Sequence, residues 1–168
     1  MELAAKILTV SDGVASGHRE DLAGPLLANR LAEAGFEIAE RRSIPDGSES
    51  VAAALREMAS EFAGVIVTTG GTGFSPRDQT PEGTLLVLDR EAPGLSEAMR
   101  AVNALGRLSR ARAGTAGHAL VINTPGSPKG ALECLDAVLD VLPHALELLR
   151  GDAGRHPPET GGSTATSS

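Results

Sequence analysis

The sequence predicts an α/β protein, a three-layer sandwich in which helices cover both faces of a mostly parallel central sheet. Short apolar runs alternate with segments of helical periodicity, which is the pattern that β-α-β units produce. Apolar residues make up 41% of the chain and aromatic residues only 2%, so we expect a core of Leu, Val, Ile and Ala. With 168 residues, one domain can bury such a core without a disulfide or a metal.

The first three elements are marked by start and stop signals. Residues 7–10 (ILTV) form a short buried-strand pattern that ends at a turn signal over residues 11–13 (SDG). A Gly-Pro pair at residues 24–25 opens a helix whose leucines share one face, and Gly35 ends it. Residues 36–43 alternate apolar and polar side chains, which predicts a half-exposed second strand.

The next helix has the clearest pattern in the chain. Apolar side chains recur at spacings of four, three and four residues through Val51, Leu55, Met58 and Phe62. This period predicts an amphipathic helix. A glycine ends it, and residues 65–69 (VIVTT) then predict a buried strand.

The second half of the chain is predicted to be mainly helical. Residues 81–88 and 95–105 carry helical patterns, and residues 119–123 (ALVIN) predict one more buried strand. A long helical region follows over residues 130–149, where Pro143 predicts a bend.

We expect one domain over residues 1–150 and a flexible tail over residues 151–168. The tail is rich in Gly, Ser, Thr and Pro and has almost no apolar residues. Such a segment cannot bury enough apolar surface to offset the entropy of ordering it.

Charge and composition argue against several classes of partner. The net charge is −7 and there is no Trp or Tyr, whereas nucleic-acid binders carry basic faces and stack bases on aromatic rings, so we expect no nucleic acid partner. No apolar leader or spanning segment occurs, so we expect no membrane partner and a cytoplasmic location. The single cysteine, Cys134, excludes an internal disulfide and is expected to lie in the core.

Four predicted loops follow strands directly, at residues 11–24, 45–47, 70–82 and 125–130. In a parallel sheet the carboxyl ends of the strands meet at one edge, and α/β proteins bind their ligands there. Each of these loops carries residues suited to phosphate or metal. The sequence therefore predicts one site to which all four loops contribute.

The loop at residues 70–82 carries the strongest functional signal. Gly70, Gly71 and Gly73 follow a buried strand, so their backbone N–H groups can bind an anion, phosphate above all. Arg77 can add a forked cationic contact. The alternative is a tight turn that uses glycine for its backbone freedom. The spacing matches neither a P-loop nor a Rossmann fingerprint, so hydride chemistry has no support.

Aspartates in these loops are candidates for holding a divalent cation beside phosphates. Asp46 and Asp78 both lie in strand-end loops, where two carboxylates can hold one Mg²⁺. Alternatively they form a general acid–base pair, or act as ordinary caps and Asx-turns. Asp12 is a third candidate, for a ligand hydroxyl or the metal, and a plain turn residue is its alternative.

Two further polar stretches are more ambiguous. The loop at residues 125–130 (PGSPKG) precedes a helix, whose N-terminus favours anions, and Lys129 adds a positive charge; a turn with an exposed lysine explains the pattern equally well. Ser109, Arg110 and Arg112 lie in a polar stretch that faces either a phosphate or water, and water is slightly favoured. No nucleophile motif of serine or cysteine occurs, so a covalent enzyme intermediate is unsupported.

These residues resemble a known family, the MogA/MoaB-type molybdopterin adenylyltransferases, which include the G domain of gephyrin. The resemblance covers about residues 6–150, and its most specific part is the string TTGGTGFSPRDQTPE at residues 68–82. The other matching segments are Ser11-Asp12 with Gly17 and Asp21, Ile44-Pro45-Asp46, Pro93-Gly94, Leu108-Ser109-Arg110, NTPGSPKG at residues 123–130, and Leu142-Pro143-His144-Ala145.

The resemblance implies a molybdopterin-binding fold and a step of molybdenum cofactor biosynthesis. ATP and molybdopterin would give adenylyl-molybdopterin and pyrophosphate, with Mg²⁺ as cofactor. It also implies a homotrimer and a handover of the product to a molybdenum-insertion protein. The alternative on the same fold is a non-catalytic carrier that binds molybdopterin.

The resemblance also implies roles for single residues. Asp46 and Asp78 match the acidic pair tied to catalysis and metal. Binding of the two substrates is expected from residues of all four loops and of the polar stretch before the last strand: Ser11, Asp12, Gly70, Gly71, Thr72, Gly73, Arg77, Thr80, Glu82, Ser109, Pro125, Gly126, Ser127 and Lys129.

Overall fold

A computed structural model of the chain describes residues 1–151. The predicted tail falls outside them except for Gly151, so the domain boundary near residue 150 stays a prediction. The elements are, in chain order, β1 (Leu3–Val10), α1 (Asp12–Ala15), α2 (Ala23–Glu33), β2 (Phe36–Ile44), α3 (Ser48–Ala59), β3 (Val65–Thr69), α4 (Thr80–Leu85), β4 (Arg90–Glu91), α5 (Pro93–Arg100), a 3-10 helix (Ala104–Leu108), β5 (Ala113–Ala116), β6 (Ala119–Thr124), α6 (Pro128–Asp136) and α7 (Leu142–Arg150).

The strands form one six-stranded sheet in the order β2-β1-β3-β6-β5-β4. β2, β1, β3 and β6 run parallel, and β5 and β4 extend one edge in antiparallel pairing. The predicted α/β class with a mostly parallel sheet is confirmed. Because β1 has β2 on one side and β3 on the other, the order of the strands reverses between β1 and β3, which is where such sheets open a crevice for a ligand.

Helices cover both faces of the sheet, as the sandwich prediction requires. On one face, side chains such as Ile7 and Val67 belong to a core that also contains residues of α2, α6 and α7. On the other face, Leu8 and Ile66 pack against residues of α3. Neighbouring residues of β1 and of β3 are buried on opposite faces, so these strands read as continuous apolar runs rather than alternating ones.

The antiparallel edge was not predicted from the sequence. β5 has the sequence AGTA and β4 consists of only two residues, so neither shows the branched or alternating apolar pattern that indicates a strand. Gly114 lies in β5 because the backbone of β4 passes very close to it. A Cβ atom at Gly114 would lie 2.2 Å from the Arg90 carbonyl oxygen.

Three predicted helices have different bounds in the structure. The region 130–149 is two helices, α6 and α7, and the break lies over residues 137–141. The prediction of a bend at Pro143 is therefore wrong: Pro143 lies in the first turn of α7, where proline has no hydrogen bond to lose. The helix predicted over residues 95–105 ends at Arg100, and α4 ends at Leu85 instead of residue 88.

Cys134 lies on α6 and is buried in the core, as expected. Burial, with a smaller effect from the charge of Glu133, raises the pKa of its thiol to about 11, so the thiol stays protonated at neutral pH. None of the helices within residues 1–151 is both long enough and apolar enough to cross a bilayer.

The two ends of the described domain are joined by Arg150, in the last turn of α7. One of its Nη atoms donates to the carbonyl oxygen of Glu2 at 3.0 Å and to that of Ala63 at 3.1 Å. Glu2 precedes β1 and Ala63 precedes β3. The end of α7 is thereby anchored at the amino edge of the parallel strands.

Candidate functional site

The carboxyl ends of the parallel strands surround a cavity of about 500 Å³. Residues from all four predicted loops line it, together with the last residues of β1 and β3. The lining residues are Thr9, Val10, Ser11, Val14, Arg19, Glu20, Asp21, Leu22, Ala23, Asp46, Thr69, Gly71, Asp78, Gly126, Ser127 and Pro128. The structure thus brings together the loops that the sequence placed at one edge of the sheet.

The turn Gly70-Gly71 requires glycine for reasons of backbone geometry. Gly70 has φ +101° and Gly71 has φ +68°. A Cβ atom at Gly70 would lie 2.2 Å from the Val10 carbonyl oxygen, and one at Gly71 would lie 2.2 Å from Thr80 Oγ1. The tight turn that we considered as the alternative to phosphate binding is therefore real, and the two interpretations are compatible.

Thr80 ties this turn to helix α4. Its buried hydroxyl donates to the Gly70 carbonyl oxygen at 2.8 Å, and its N–H donates to the Gly71 carbonyl oxygen at 3.0 Å. The Gly70 N–H donates to Thr124 on β6 at 3.1 Å. Within residues 1–151 the Gly71 N–H has no acceptor, so it is available to an anion in the cavity.

Asp12 and Asp46 are linked by reciprocal hydrogen bonds. The Asp12 N–H donates to Asp46 Oδ2 at 2.9 Å, and the Asp46 N–H donates to Asp12 Oδ1 at 3.1 Å. Arg77 joins the pair: its Nε and one Nη donate to the two Asp12 carboxylate oxygens at 3.0 Å, and that Nη also donates to the Asp46 carbonyl oxygen at 3.0 Å. The hydrogen bond from Arg77 holds the pKa of Asp12 below its ordinary value.

Arg77 is therefore engaged with Asp12 and does not line the cavity. Its predicted contact with a phosphate would require the guanidinium to leave this carboxylate. Ser11 lines the cavity, but its hydroxyl accepts a hydrogen bond from the Val14 N–H at 3.3 Å and so caps α1. The roles of Arg77 and Ser11 in substrate binding stay predictions.

Asp78 lines the same cavity as Asp46, on another of the four loops. Its Oδ2 accepts a hydrogen bond from the Ser75 N–H at 3.1 Å. Glycines make room for both carboxylates, because a Cβ atom at Gly73 would lie 2.9 Å from Asp78 Oδ2 and one at Gly71 would lie 3.2 Å from Asp46 Oδ1. The two acidic residues predicted for catalysis thus border one cavity, although their roles stay predictions.

The charged side chains that line the cavity are mostly acidic. Four are carboxylates, from Glu20, Asp21, Asp46 and Asp78, and among the described residues Arg19 is the one basic side chain in the lining. Asp21 is already used within the protein, because its oxygens accept from Thr9 Oγ1 at 2.8 Å and from the Gly24 N–H at 2.9 Å. A polyanion therefore needs additional positive charge to enter this cavity.

The carboxylates of Asp46 and Asp78 suit a magnesium ion that arrives with a phosphate. In the part of the chain that the structure describes, no cluster of three or more His, Cys, Asp or Glu side chains forms a protein-only metal site. Mg²⁺ typically takes only one or two carboxylates and completes its shell with water and substrate phosphates. Two carboxylates from separate loops that line one cavity fit that mode of binding.

The turn at residues 125–127 packs directly against the glycine turn. Thr69 Oγ1 donates to the Pro125 carbonyl oxygen at 2.7 Å, and a Cβ atom at Gly126 would lie 3.4 Å from Gly70 Cα. Ser127 is the N-cap of α6, with its Oγ accepting from the Gly130 N–H at 3.1 Å. The N-terminus of α6 therefore opens beside the cavity.

Lys129 lies away from the cavity. Its side chain is 90% exposed and approaches Glu133 at 3.8 Å, one turn along the same helix. This arrangement is the exposed lysine that we weighed as the alternative. Its contact with substrate stays a prediction.

Arg110 is the residue whose placement the sequence analysis missed. We expected Arg110 to face water, but its guanidinium is bonded to the glycine loop. Nε donates to the Gly73 carbonyl oxygen at 2.8 Å, and one Nη donates to the Asp78 carbonyl oxygen at 2.6 Å. The other Nη pairs with Glu82. The only signal in the sequence was the match of Leu108-Ser109-Arg110 to the family pattern.

Glu82 is thus held by an arginine of the protein. Burial is the largest single effect and raises the pKa of Glu82, but the hydrogen bond from Arg110, a backbone hydrogen bond and the charges of Arg110 and Arg112 together outweigh it and leave the pKa below its ordinary value. Thr72 is also tied to this arginine, because its carbonyl oxygen accepts from the Arg110 N–H at 2.9 Å. The predicted roles of Glu82 and Thr72 in substrate binding stay predictions.

Ser109 lies in a second, smaller cavity of about 140 Å³ on the other side of the 125–127 turn. Its Oγ accepts from the Ala111 N–H at 3.2 Å. Ser127 lines both cavities. The structure therefore places Ser109 in the lining of the second cavity and not in that of the cavity that Asp46 and Asp78 line.

Comparison with known proteins gives consistent matches. A family model described as a probable molybdopterin binding domain matches residues 6–144. The chain is 35% identical over 153 residues to the molybdopterin adenylyltransferase of Helicobacter pylori (strain J99), over 87% of each protein. It is 37% identical over 154 residues to the molybdenum cofactor synthesis protein cinnamon of Drosophila melanogaster, over 87% of this chain but only 25% of that protein.

Solved structures match over similar lengths. The crystal structure of the molybdopterin biosynthesis enzyme MoaB from Thermus thermophilus superposes with a TM-score of 0.84 at 46% sequence identity. The match covers 89% of this chain and 97% of that chain. The tungsten cofactor synthesizing protein MoaB from Pyrococcus furiosus superposes with a TM-score of 0.80 at 34% identity, over 89% and 98% of the two chains.

Proposed function

The chain belongs to the family of probable molybdopterin binding domains, and from this premise we propose that it is a molybdopterin adenylyltransferase of molybdenum cofactor biosynthesis. The enzyme joins molybdopterin to the AMP moiety of ATP and releases pyrophosphate. Relatives that match most of the chain carry this name.

The observation that carries the proposal is the convergence of four strand-end loops on one cavity of about 500 Å³ that both Asp46 and Asp78 line. A volume of this size suits a nucleotide-sized ligand. The N–H of Gly71 and the N-terminus of α6 add sites for phosphate at its border.

The reaction needs no nucleophile from the protein. The terminal phosphate of molybdopterin is anionic at neutral pH, and one of its oxygens attacks the α-phosphorus of ATP. A new P–O bond forms as the bond to the bridging oxygen breaks, and pyrophosphate leaves with that electron pair. The protein must align two polyanions and offset their charge.

The residues at the cavity are suited to this task. The Gly71 N–H and the first turn of α6, capped by Ser127, offer positive partial charge, and Arg19 offers a full charge. Asp46 and Asp78 would hold Mg²⁺, which when bound supplies positive charge beside the phosphates.

The test is to incubate the purified protein with molybdopterin, ATP and Mg²⁺ and to identify the product by mass spectrometry. We expect adenylyl-molybdopterin and an equal amount of pyrophosphate. Tight binding of molybdopterin with no ATP-dependent product would instead indicate the non-catalytic carrier. Pyrophosphate released from ATP without molybdopterin would indicate a nucleotide pyrophosphatase.

Four parts of the proposal go beyond the shared family: the need for Mg²⁺, the homotrimer, the cytoplasmic location and the handover to a molybdenum-insertion protein. The need for Mg²⁺, the homotrimer and the handover are supported by the resemblance of the sequence to the family, and the cytoplasmic location stays a prediction. Sedimentation at micromolar concentration tests the trimer, and a monomer there would overturn it. Removal of divalent cations with a chelator should abolish product formation.

A further inference from the structure

Asp78 lies on a segment with few ties of its own to the rest of the protein. The segment follows the glycine turn, and residues 74–77 are exposed. Asp78 is bonded to Ser75 twice, through its N–H to the Ser75 carbonyl oxygen at 2.9 Å and through Oδ2 from the Ser75 N–H at 3.1 Å. These bonds close a small loop but do not fix the position of that loop relative to the sheet.

Arg110 supplies the attachment. Its Nε and one Nη donate to the carbonyl oxygens of Gly73 and Asp78, at the two ends of the loop. Its other Nη pairs with Glu82 in α4. Because the guanidinium is planar and rigid, donating from three nitrogens fixes the spacing between the loop and the helix.

The other contacts of the loop lie at exposed positions. Arg77 binds Asp12 and the Asp46 carbonyl oxygen, but the Arg77 and Asp12 side chains are 63% and 48% exposed, and ion pairs in such positions contribute little. Directly after the loop, Gln79 Oε1 accepts from the Ser48 N–H at 3.1 Å, also at an exposed position. The glycine turn is held independently, by Thr80 and by Thr124. Arg110 therefore holds the loop that carries Asp78 in position, whereas the Gly70-Gly71 turn does not depend on the Arg110 side chain.

We propose that Arg110 is the positioning residue of the site, which sets the place of the Asp78 carboxylate in the cavity by binding the carbonyl oxygens on either side of its loop. The inference rests on the proposed adenylyltransferase function. Arg110 does not line the cavity, and its charge is paired with Glu82. It therefore acts through Asp78 and not on the substrate.

Kinetics of Arg110→Gln test the proposal, with Arg107→Gln as the matched control. Arg107 carries the same charge nearby, but its Nε donates to Ala104 in its own 3-10 helix. We expect Arg110→Gln to lower kcat by about 30- to 100-fold, because small displacements of a reacting group cost that much. KM for ATP should stay within about threefold, because the turn that offers its N–H is held separately. Arg110→Lys should recover part of kcat, and Arg107→Gln should match the wild type.

A double variant separates positioning from an independent effect. If Arg110 acts through Asp78, then Arg110→Gln combined with Asp78→Asn should be no slower than Asp78→Asn alone. Losses that multiply in the double variant would overturn the proposal. A wild-type kcat for Arg110→Gln would overturn it as well.

Hydrogen exchange provides a measurement that does not depend on turnover. In Arg110→Gln, peptides covering residues 72–79 should exchange faster, while peptides from β1 and β6 should keep wild-type rates. Faster exchange throughout the sheet would show a loss of stability instead and would contradict positioning. If the wild type makes no adenylyl-molybdopterin, the proposed function fails, and this experiment still decides whether Arg110 holds the loop.

Discussion

The two carboxylates of the cavity, Asp46 and Asp78, stand on walls that are built differently. The Asp46 wall consists of residues 11–24 and 45–47, where the exposed Asp12 and the partly buried Asp46 are bonded to each other and to the exposed Arg77, which reaches over from residues 70–82. The Asp78 wall consists of residues 70–82 with Arg110, whose side chain is only 34% exposed. Arg77 binds mainly a carboxylate, whereas Arg110 binds backbone carbonyl groups as well.

This difference indicates that an arginine–carboxylate pair has different consequences when its arginine is exposed and when its arginine is partly buried. An exposed pair is screened by water and salt, so it can exchange its carboxylate for another anion at little cost. A partly buried arginine that satisfies carbonyl groups leaves them without a partner when it is removed. We expect the Asp46 wall to respond to ligands and salt, and the Asp78 wall to be sensitive to mutation.

The largest effect should come from the carboxylates themselves. Asp78→Asn is expected to lower kcat about 100-fold or more, since it removes a charge that holds the metal or stabilises the transition state. Asp46→Asn should act similarly, because both side chains border the same cavity. The rate of pyrophosphate release measures both. Asp136→Asn is the control, because Asp136 pairs with Arg30 outside the cavity; full activity of Asp78→Asn would remove Asp78 from the mechanism.

The next largest effect should be a difference in unfolding free energy between variants of the two walls. Glu82→Gln removes the charge opposite Arg110 and is expected to lower the free energy of unfolding by about 1 kcal/mol, a figure already reduced for the partial exposure of the pair. Asp12→Asn removes the charge opposite Arg77, where both side chains are exposed, and should leave the urea midpoint unchanged. Equal losses in the two variants would mean that depth does not distinguish the walls.

The pH dependence of the unfolding free energy should report on the same pair, Arg110 and Glu82. The pKa of Glu82 in the folded protein lies below the ordinary value of 4.5, because burial, the largest single effect, is outweighed by the hydrogen bonds and positive charges around the carboxylate together, those of Arg110 first among them. A lowered pKa contributes stability that is complete above pH 4.5 and is lost as the pH falls through the folded-state pKa. The difference in unfolding free energy between wild type and Glu82→Gln should therefore be full at neutral pH and shrink in acid. Urea titrations across this range would contradict the assignment if the difference grew.

The smallest effect is expected at Arg19, on the Asp46 wall. Arg19 is the basic residue among those lining the cavity, and its stem packs on Gly13, where a Cβ atom would lie 2.6 Å from Arg19 Cδ. Arg19→Gln should raise the KM for ATP about fivefold, the effect of losing about 1 kcal/mol of exposed charge interaction. The increase should fall as salt is added. Lys129→Gln is the matched comparison and should leave KM within about twofold; a larger change there would restore Lys129 as a phosphate ligand.

Much of the fold was predictable because its central strands are buried on both faces. Residues 7–10, 65–69 and 119–123 are apolar runs bounded by turn signals, and each proved to belong to a parallel strand. The four loops could be placed at one edge because parallel topology leaves no other arrangement. The antiparallel edge could not be predicted, since β5 holds its place through a glycine and close backbone contact instead of apolar side chains.

The sequence indicated several of the residues that line the cavity, but not the hydrogen bonds that its side chains make. Glycines and aspartates near strand ends indicated where anions and cations could bind. The carboxylate partners of the two arginines could not be predicted, because Arg77 pairs with Asp12 at a sequence separation of 65 residues and Arg110 pairs with Glu82 at a separation of 28. No local pattern encodes contacts at such separations. They follow from the order of the strands, which the sequence alone did not give.

The anchoring of α7 by Arg150 has a consequence for how this unit can be rearranged. Arg150 bonds to residues that precede β1 and β3, so the first and last described elements meet at the amino edge of the sheet, and the cavity opens at the other edge. Cutting a surface loop and joining Arg150 to the start of the chain with a short peptide should therefore leave the edge of the sheet that carries the cavity intact. The same geometry makes the unit suited to insertion within a larger polypeptide.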